Sequence, residues 1–202
     1  MTAFTPSTIA ALVIAASFAA GLNVYATVMT LGLLAHAHWV VLPSGLEVMG
    51  DWWVIAASAS MFALEFVVDK IPGVDMVWNA LHTFIRVPVA GLIAYRATSH
   101  LSPEMQLLAT TGGALIALAA HSSKTAVRAV VTPSPEPFSN IALSAGEDGI
   151  AIGLTWLVTS HPWTAAGIAL ALTLFAVLMA RWILMALRKV WHRRPMSLQV
   201  NR

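Results

Sequence analysis

Six apolar runs, each close to the length a helix needs to cross a bilayer, constrain this chain more than any other feature. They run about Thr8 to His36, Trp52 to Val68, Met76 to Tyr95, Met105 to Ala120, Ile141 to Val158 and Trp163 to Leu187. A spanning helix takes roughly 20 mostly apolar residues. The alternating pattern of an outer-membrane barrel strand is absent. Charged residues make up 10% of the 202, against roughly 25% in a soluble domain. One soluble core of this size could not hide so much apolar surface. A soluble enzyme, a disordered chain and a nucleic-acid binder are therefore excluded as readings. The net charge is only +2, too little for a nucleic-acid face. With no cysteine, disulfides and thiolate chemistry drop out. The expectation is an all-α integral membrane protein with its partner the lipid bilayer: one helical domain over 1–190 and a basic tail over 191–202.

Lys and Arg set the direction of such a chain, because they collect on the cytoplasmic side. None precedes Lys70, and six of the eleven lie from Arg181 to Arg202. Six spans then place both ends in the cytoplasm, with the N-terminus retained because it lacks the charged start of a signal peptide. Trp39, Trp52, Trp53 and Trp163 gather at the external interface, where amphipathic rings settle. Arg96 alone falls on the unfavoured side. The expected location is the inner membrane of a bacterium.

Two runs strain a plain six-helix picture. The first has 29 residues, about 43 Å of helix, and is interrupted by Gly21-Leu22-Asn23. Steep tilt, a kink or a pair of half-helices would each fit. The fourth is short and holds Gly112 and Gly113. Interrupted segments point to discontinuous helices around a transport site, although small residues also serve close helix packing. Three plus three spans would permit an inverted repeat, for which the sequence itself offers little internal similarity.

Charges inside apolar runs cost at least ~2.5–3.5 kcal/mol on insertion scales and mark functional sites. They fall in two blocks. Glu65 and Asp69, then His82 and Arg86, are spaced i, i+4, with Lys70, Asp75 and a Pro72-Gly73 turn between. His121, Lys124 and Arg128 step by three and four, followed by Asn140 and the adjacent pair Glu147-Asp148. Such spacing puts each set on one helix face, so one acidic and two basic stripes can meet in a bundle interior. Adjacent carboxylates cannot both ionise comfortably at low dielectric, so Glu147-Asp148 suits a proton or a cation, with Gly146 and Gly149 free to unwind. The competing reading is static ion pairing, with Glu147 or Asp148 held by Arg86 or Lys124.

His82 and His121 fit proton relay. His36, His38, His100 and His161 map to the external side. His36 and His38 point about 200° apart on a helix, so no metal site is expected there, and no cofactor. Hydrolase, zinc-protease, phosphate-loop and dinucleotide signatures are all missing, which weighs against an enzyme.

The pattern Glu65-x3-Asp69-Lys70-Ile-Pro-x2-Asp75, His82-Thr-x2-Arg86-x-Pro88 resembles a widespread bacterial integral-membrane family classed as a domain of unknown function. His121-x2-Lys124-x3-Arg128, Ser134-Pro135-x-Pro137-x2-Asn140 and Glu147-Asp148 are similar to the same family, over roughly residues 10 to 190. The resemblance implies a helical membrane fold and no agreed activity. Arg86 to Gly91 is also similar to a short piece of lipid-carrier transporters with re-entrant hairpins. The expected function is a small proton- or cation-coupled permease. Glu65, Asp69, Glu147 and Asp148 would bind the ion. Lys70, Arg86, Lys124 and Arg128 would pair with them or receive an anionic substrate. Gly21, Asn23, Gly112 and Gly113 would be the break points. A homodimer fits so small a chain. A structural or assembly protein and a membrane-embedded head-group enzyme are the rivals.

Overall fold

The computed structural model describes residues 2–71, 73–131 and 137–192. A two-residue strand β1 (Thr2–Ala3) precedes α1 (Pro6–His36). Strand β2 (Val40–Val41) and a 3-10 helix (Ser44–Gly50) follow. The remaining helices are α2 (Trp52–Val68), α3 (Val74–Ala97), α4 (Pro103–Val131), α5 (Pro137–Ser160) and α6 (Pro162–His192). The described chain is thus an all-α membrane protein apart from the short β1–β2 pairing.

The first run resolves into a pair of half-helices. Asn23 has φ −150° and ψ 101°, extended backbone inside an otherwise helical stretch. β1 pairs in parallel with β2, Thr2 opposite Val40. Paired strands lie about 4.8 Å apart, whereas a straight helix of 31 residues would hold its ends about 46 Å apart. The chain must therefore fold back at Asn23. Neighbours agree: Pro6 and Ile9 share a cavity wall with Thr98 and Leu101 just past α3, and Gly45, soon after the other end of α1, abuts the Arg96 carbonyl. The arms, Pro6 to Leu22 and Val24 to His36, are about 25 and 20 Å long, each short of a ~30 Å hydrocarbon core.

Local chemistry fixes both arm ends. Pro6 sits at the first helical position, where its missing N–H is no loss, and the Thr5 N–H donates to Thr8 Oγ1 at 2.8 Å. At the other end His38 takes φ 59°, and the Trp39 N–H donates to the Leu34 carbonyl at 2.9 Å. This is a left-handed C-cap, usually a glycine's place.

α1 packs against all five other helices and is buried along most of its length, as an apolar-all-round helix must be. α2 to α6 surround it and turn apolar side chains outward: Phe84 is 81% exposed and Phe175 61%. The interior combines an apolar core along α1 with buried polar and charged groups. α1, α3, α5 and α6 contain stretches long and apolar enough to cross a membrane, and the 3-10 helix with α2, bent by 68°, makes a fifth candidate. α4 falls below that composition because His121, Lys124 and Arg128 lie on its inward face, each at most 3% exposed.

The fold-back resolves the first of the six expected runs into a hairpin, one of the arrangements its Gly21-Leu22-Asn23 interruption allows. With α1 returning to its starting end, the five helices α2 to α6 alternate in direction along the bundle, which puts Thr2 and His192 at opposite ends. Trp39, Trp52, Trp53 and Trp163, all at least 60% exposed, ring the end that carries Thr2.

A correction concerns Gly112 and Gly113. α4 runs unbroken through both. A Cβ on Gly113 would meet Ser17 Oγ at 2.7 Å and Ala94 Cβ at 2.9 Å, so this glycine serves close packing of α1, α3 and α4. Gly21 packs likewise, its would-be Cβ 2.5 Å from the Ala117 carbonyl. α1 is central and broken while α4 is peripheral and continuous, so the first helices of the two halves do not correspond as an inverted repeat would require.

Candidate functional site

The break in α1 exposes backbone groups that water cannot reach, and side chains replace the missing bonds. Asn23 Oδ1 accepts the Ala26 N–H at 2.9 Å, capping the second arm. Thr27 Oγ1 donates to the Asn23 carbonyl at 2.9 Å. Lys124 Nζ donates to the Leu22 carbonyl at 3.2 Å. Asn23 Nδ2 donates to Asp148 Oδ1 at 2.8 Å. The tip of the hairpin is thereby bonded to α4 and α5, and a carboxylate meets the positive end of the second arm.

Around this tip lies a buried ionic cluster. Lys124 Nζ stands 3.1 Å from Asp69 Oδ2, 3.2 Å from Glu147 Oε2 and 3.6 Å from Glu65 Oε1. Arg128 reaches Glu147 at 2.6 Å, Asp69 at 2.9 Å and Asp75 at 3.5 Å. Arg86 pairs with Glu65 and donates to Asn79 Oδ1 at 3.1 Å. The stripes expected on α2, α3 and α4 do converge, joined by α5. Lys124 takes Glu147, as expected, whereas Arg86 takes Glu65 rather than Glu147, and Asp148 takes Asn23. Consecutive helical residues point about 100° apart, so Glu147 and Asp148 diverge. α5 continues through Gly146 and Gly149, and the unwinding expected there is not found.

The cluster is short of positive charge. Among the described residues Glu65, Asp69, Asp75, Glu147 and Asp148 face Arg86, Lys124 and Arg128, all eight buried; even without Asp75 the carboxylates outnumber these cations by one when every group is ionised. Among the described residues no Lys, Arg or His lies within salt-bridge distance of Asp148. Glu65 Oε2, Asp69 Oδ1 and Asp148 Oδ2 are buried without a hydrogen-bond partner. Orphaned acceptors at low dielectric are costly, and a proton or small cation relieves that cost directly.

The two inner histidines are fixed by their bonds. Arg86 Nη1 approaches His121 Nδ1 at 3.0 Å. Arginine can only donate, so Nδ1 accepts, and His121 Nε2 carries the hydrogen that goes to Thr83 Oγ1 at 2.7 Å. His82 Nδ1 lies 2.8 Å from the Trp78 carbonyl and donates to it, so its Nε2 accepts from Tyr25 O–H at 3.2 Å. Trp78 stacks on His82 with centroids 4.3 Å apart.

Other expected site residues lie apart. Lys70 Nζ donates to the Phe66 carbonyl at 2.7 Å and covers the Phe66 ring, outside the cluster. The side chain of Asn140, together with Pro72, Ser134, Pro135 and Glu136, lies outside the described residues. Gly73 makes the α2–α3 turn with φ 87°, its N–H donating to Asp75 Oδ1 at 2.9 Å. Among the described residues no three His, Asp or Glu side chains are placed to hold a metal. Tyr25, Asn79 and Thr83 were missed as site residues. Asp75, Asn79, His82 and Arg86 step by four, three and four, a one-face spacing that could have found Asn79.

No curated protein and no solved structure matches the chain. A family model does match, over residues 10–182, a span that contains the break in α1 and every member of the cluster, and by it the chain belongs to DUF4126, a domain of unknown function.

Proposed function

We propose that the chain is a small ion-coupled membrane transporter whose coupling ion, a proton or a monovalent cation, is taken up by the acid-rich cluster at the tip of α1. The observation that carries this reading is Asp148, buried with no cation in salt-bridge distance among the described residues, in a cluster where three carboxylate oxygens are left unbonded. A cluster built only to fix helix register would balance its charges, because each uncompensated buried ion costs several kcal/mol. Asp148 is the member we assign to the ion. It faces the break in α1 and is held by a neutral amide, so its charge can change without breaking an ion pair.

In this reading Glu65–Arg86 and the Asp69–Lys124–Glu147–Arg128 group form the fixed frame around Asp148. His121, locked between Arg86 and Thr83, belongs to the frame. His82, tied to Tyr25 and Trp78, offers a proton-accepting nitrogen beside it. The excess of Lys and Arg near the C-terminus supports a cytoplasmic far end of the bundle, with the end carrying Thr2 outside. A bacterial inner membrane and a homodimer are part of the same proposal.

The rival is a static lock, favoured by one observation: Lys124 and Arg128 each contact three carboxylates. Proton flux in proteoliposomes beside thermal stability in detergent separates the two. The transporter reading expects Glu147→Gln to alter pH-driven flux while the purified protein still melts cooperatively. A wild type without pH-driven flux, joined to a Glu147→Gln variant that only loses stability, would leave the lock.

A further inference from the structure

A cavity of about 200 Å³ opens between α1, α4, α5 and α6 beside the cluster. Phe18, Leu22, Val127, Leu143, Phe175 and Met179 make most of its wall, and its polar wall is Ser123, Lys124 and Glu147. Of the acids engaged in ion pairs, Glu147 is the most exposed, its side chain 11% accessible against 1% or less for Glu65, Asp69 and Asp75. The cavity is therefore an apolar chamber whose charged corner belongs to an acid-rich network.

We infer that this cavity binds a lipophilic organic cation, its apolar body against Phe18, Leu143 and Phe175 and its ammonium group beside Glu147, in exchange for protons. The inference rests on the reading of the cluster as an ion-exchange site and names the substrate class of that site. Charge decides the sign of the ligand. Lys124 has three N–H bonds and four acceptors already around it: Asp69, Glu147, Glu65 and the Leu22 carbonyl. It has nothing left for an incoming anion, so the anionic substrate expected from the basic stripes is disfavoured. The acid-rich network, with Asp148 uncompensated among the described residues, attracts a cation. The apolar walls select one with a hydrocarbon body over a small hydrated ion, since desolvating the latter is uncompensated there. An ammonium arriving beside Glu147 adds one positive charge to the network, and the proton carried by Asp148 leaves to solvent, so the net charge of the cluster is unchanged.

Titration calorimetry of the purified full chain in neutral detergent tests this, with hexyltrimethylammonium as probe, hexanesulfonate as the anionic counterpart, and two buffers of different ionisation enthalpy to count protons. The wild type is expected to bind the cation, release about one proton and ignore the sulfonate. Glu147→Gln should weaken cation binding at least tenfold. Met179→Trp and Leu143→Trp, which fill the chamber away from the ion pairs, should weaken cation binding at least tenfold while the purified protein still melts cooperatively at nearly the wild-type temperature. Equal binding of hexanesulfonate would overturn the inference and mark a plain acyl-chain groove. Unchanged cation binding in both tryptophan variants would overturn it as well. Absent cation binding with intact proton flux would remove this inference and spare the transporter reading; absence of both would remove both.

Discussion

Arg86 and Asp148 show how differently two buried charges can be held. Arg86 is fully buried and bonded to Glu65, Asn79 and His121. Arg86→Gln leaves Glu65 without its guanidinium, and removing one partner of a buried pair costs ~3–5 kcal/mol. The expected outcome is a sharp fall in melting temperature in detergent, largely restored by the double variant Glu65→Gln with Arg86→Gln. A double variant no more stable than the single one would show that the pair is not the unit drawn here. Asp148→Asn is expected to leave the melting temperature nearly unchanged, because a neutral side chain can keep its bond to Asn23 and lose only the uncompensated charge. A large drop would mean that the carboxylate is paired in a way these distances do not show.

At the scale of elements the fold-back of α1 makes the sharpest claim. The chain has no native cysteine, so Thr2→Cys with Val40→Cys reports on the hairpin cleanly. Oxidation should join the pair, detected as a mobility shift after cleavage between them. No cross-link under oxidant would favour one long spanning helix. Asn23→Leu removes the cap on the second arm, worth about 1 kcal/mol, and the bond to Asp148. It should disturb flux more than stability, whereas Gly21→Leu, driven against the Ala117 carbonyl, should mainly destabilise. The apolar runs and the charged stripes were legible in the sequence, because lipid imposes length and i, i+4 spacing imposes a face. The reversal at Asn23 was legible only as an interruption. Its geometry depends on Asp148, 125 residues away, and on the β1–β2 pairing, which two-residue strands do not announce. The ion partners were hidden for a related reason: spacing says which face a charge occupies, not which helix that face meets. Gly112-Gly113 misled because glycine marks close packing as readily as a break.

As a whole molecule the protein is a bundle of five helices around a folded-back α1, with apolar side chains turned outward and an ionic cluster within. Its two described ends lie at opposite faces, so reporters fused at Thr2 and after His192 should give opposite locations; the same location would restore an even number of passes. The same architecture gives the ion a defined place, since both arms of α1 begin at one face and deliver Asn23 to carboxylates that lie toward the other. Proton flux through proteoliposomes under an imposed pH gradient, wild type against Asp148→Asn, addresses that place most directly. The account predicts flux in the wild type, and loss of at least nine-tenths of it in a variant that melts at nearly the same temperature. Equal flux from both proteins, or none from either, would contradict it.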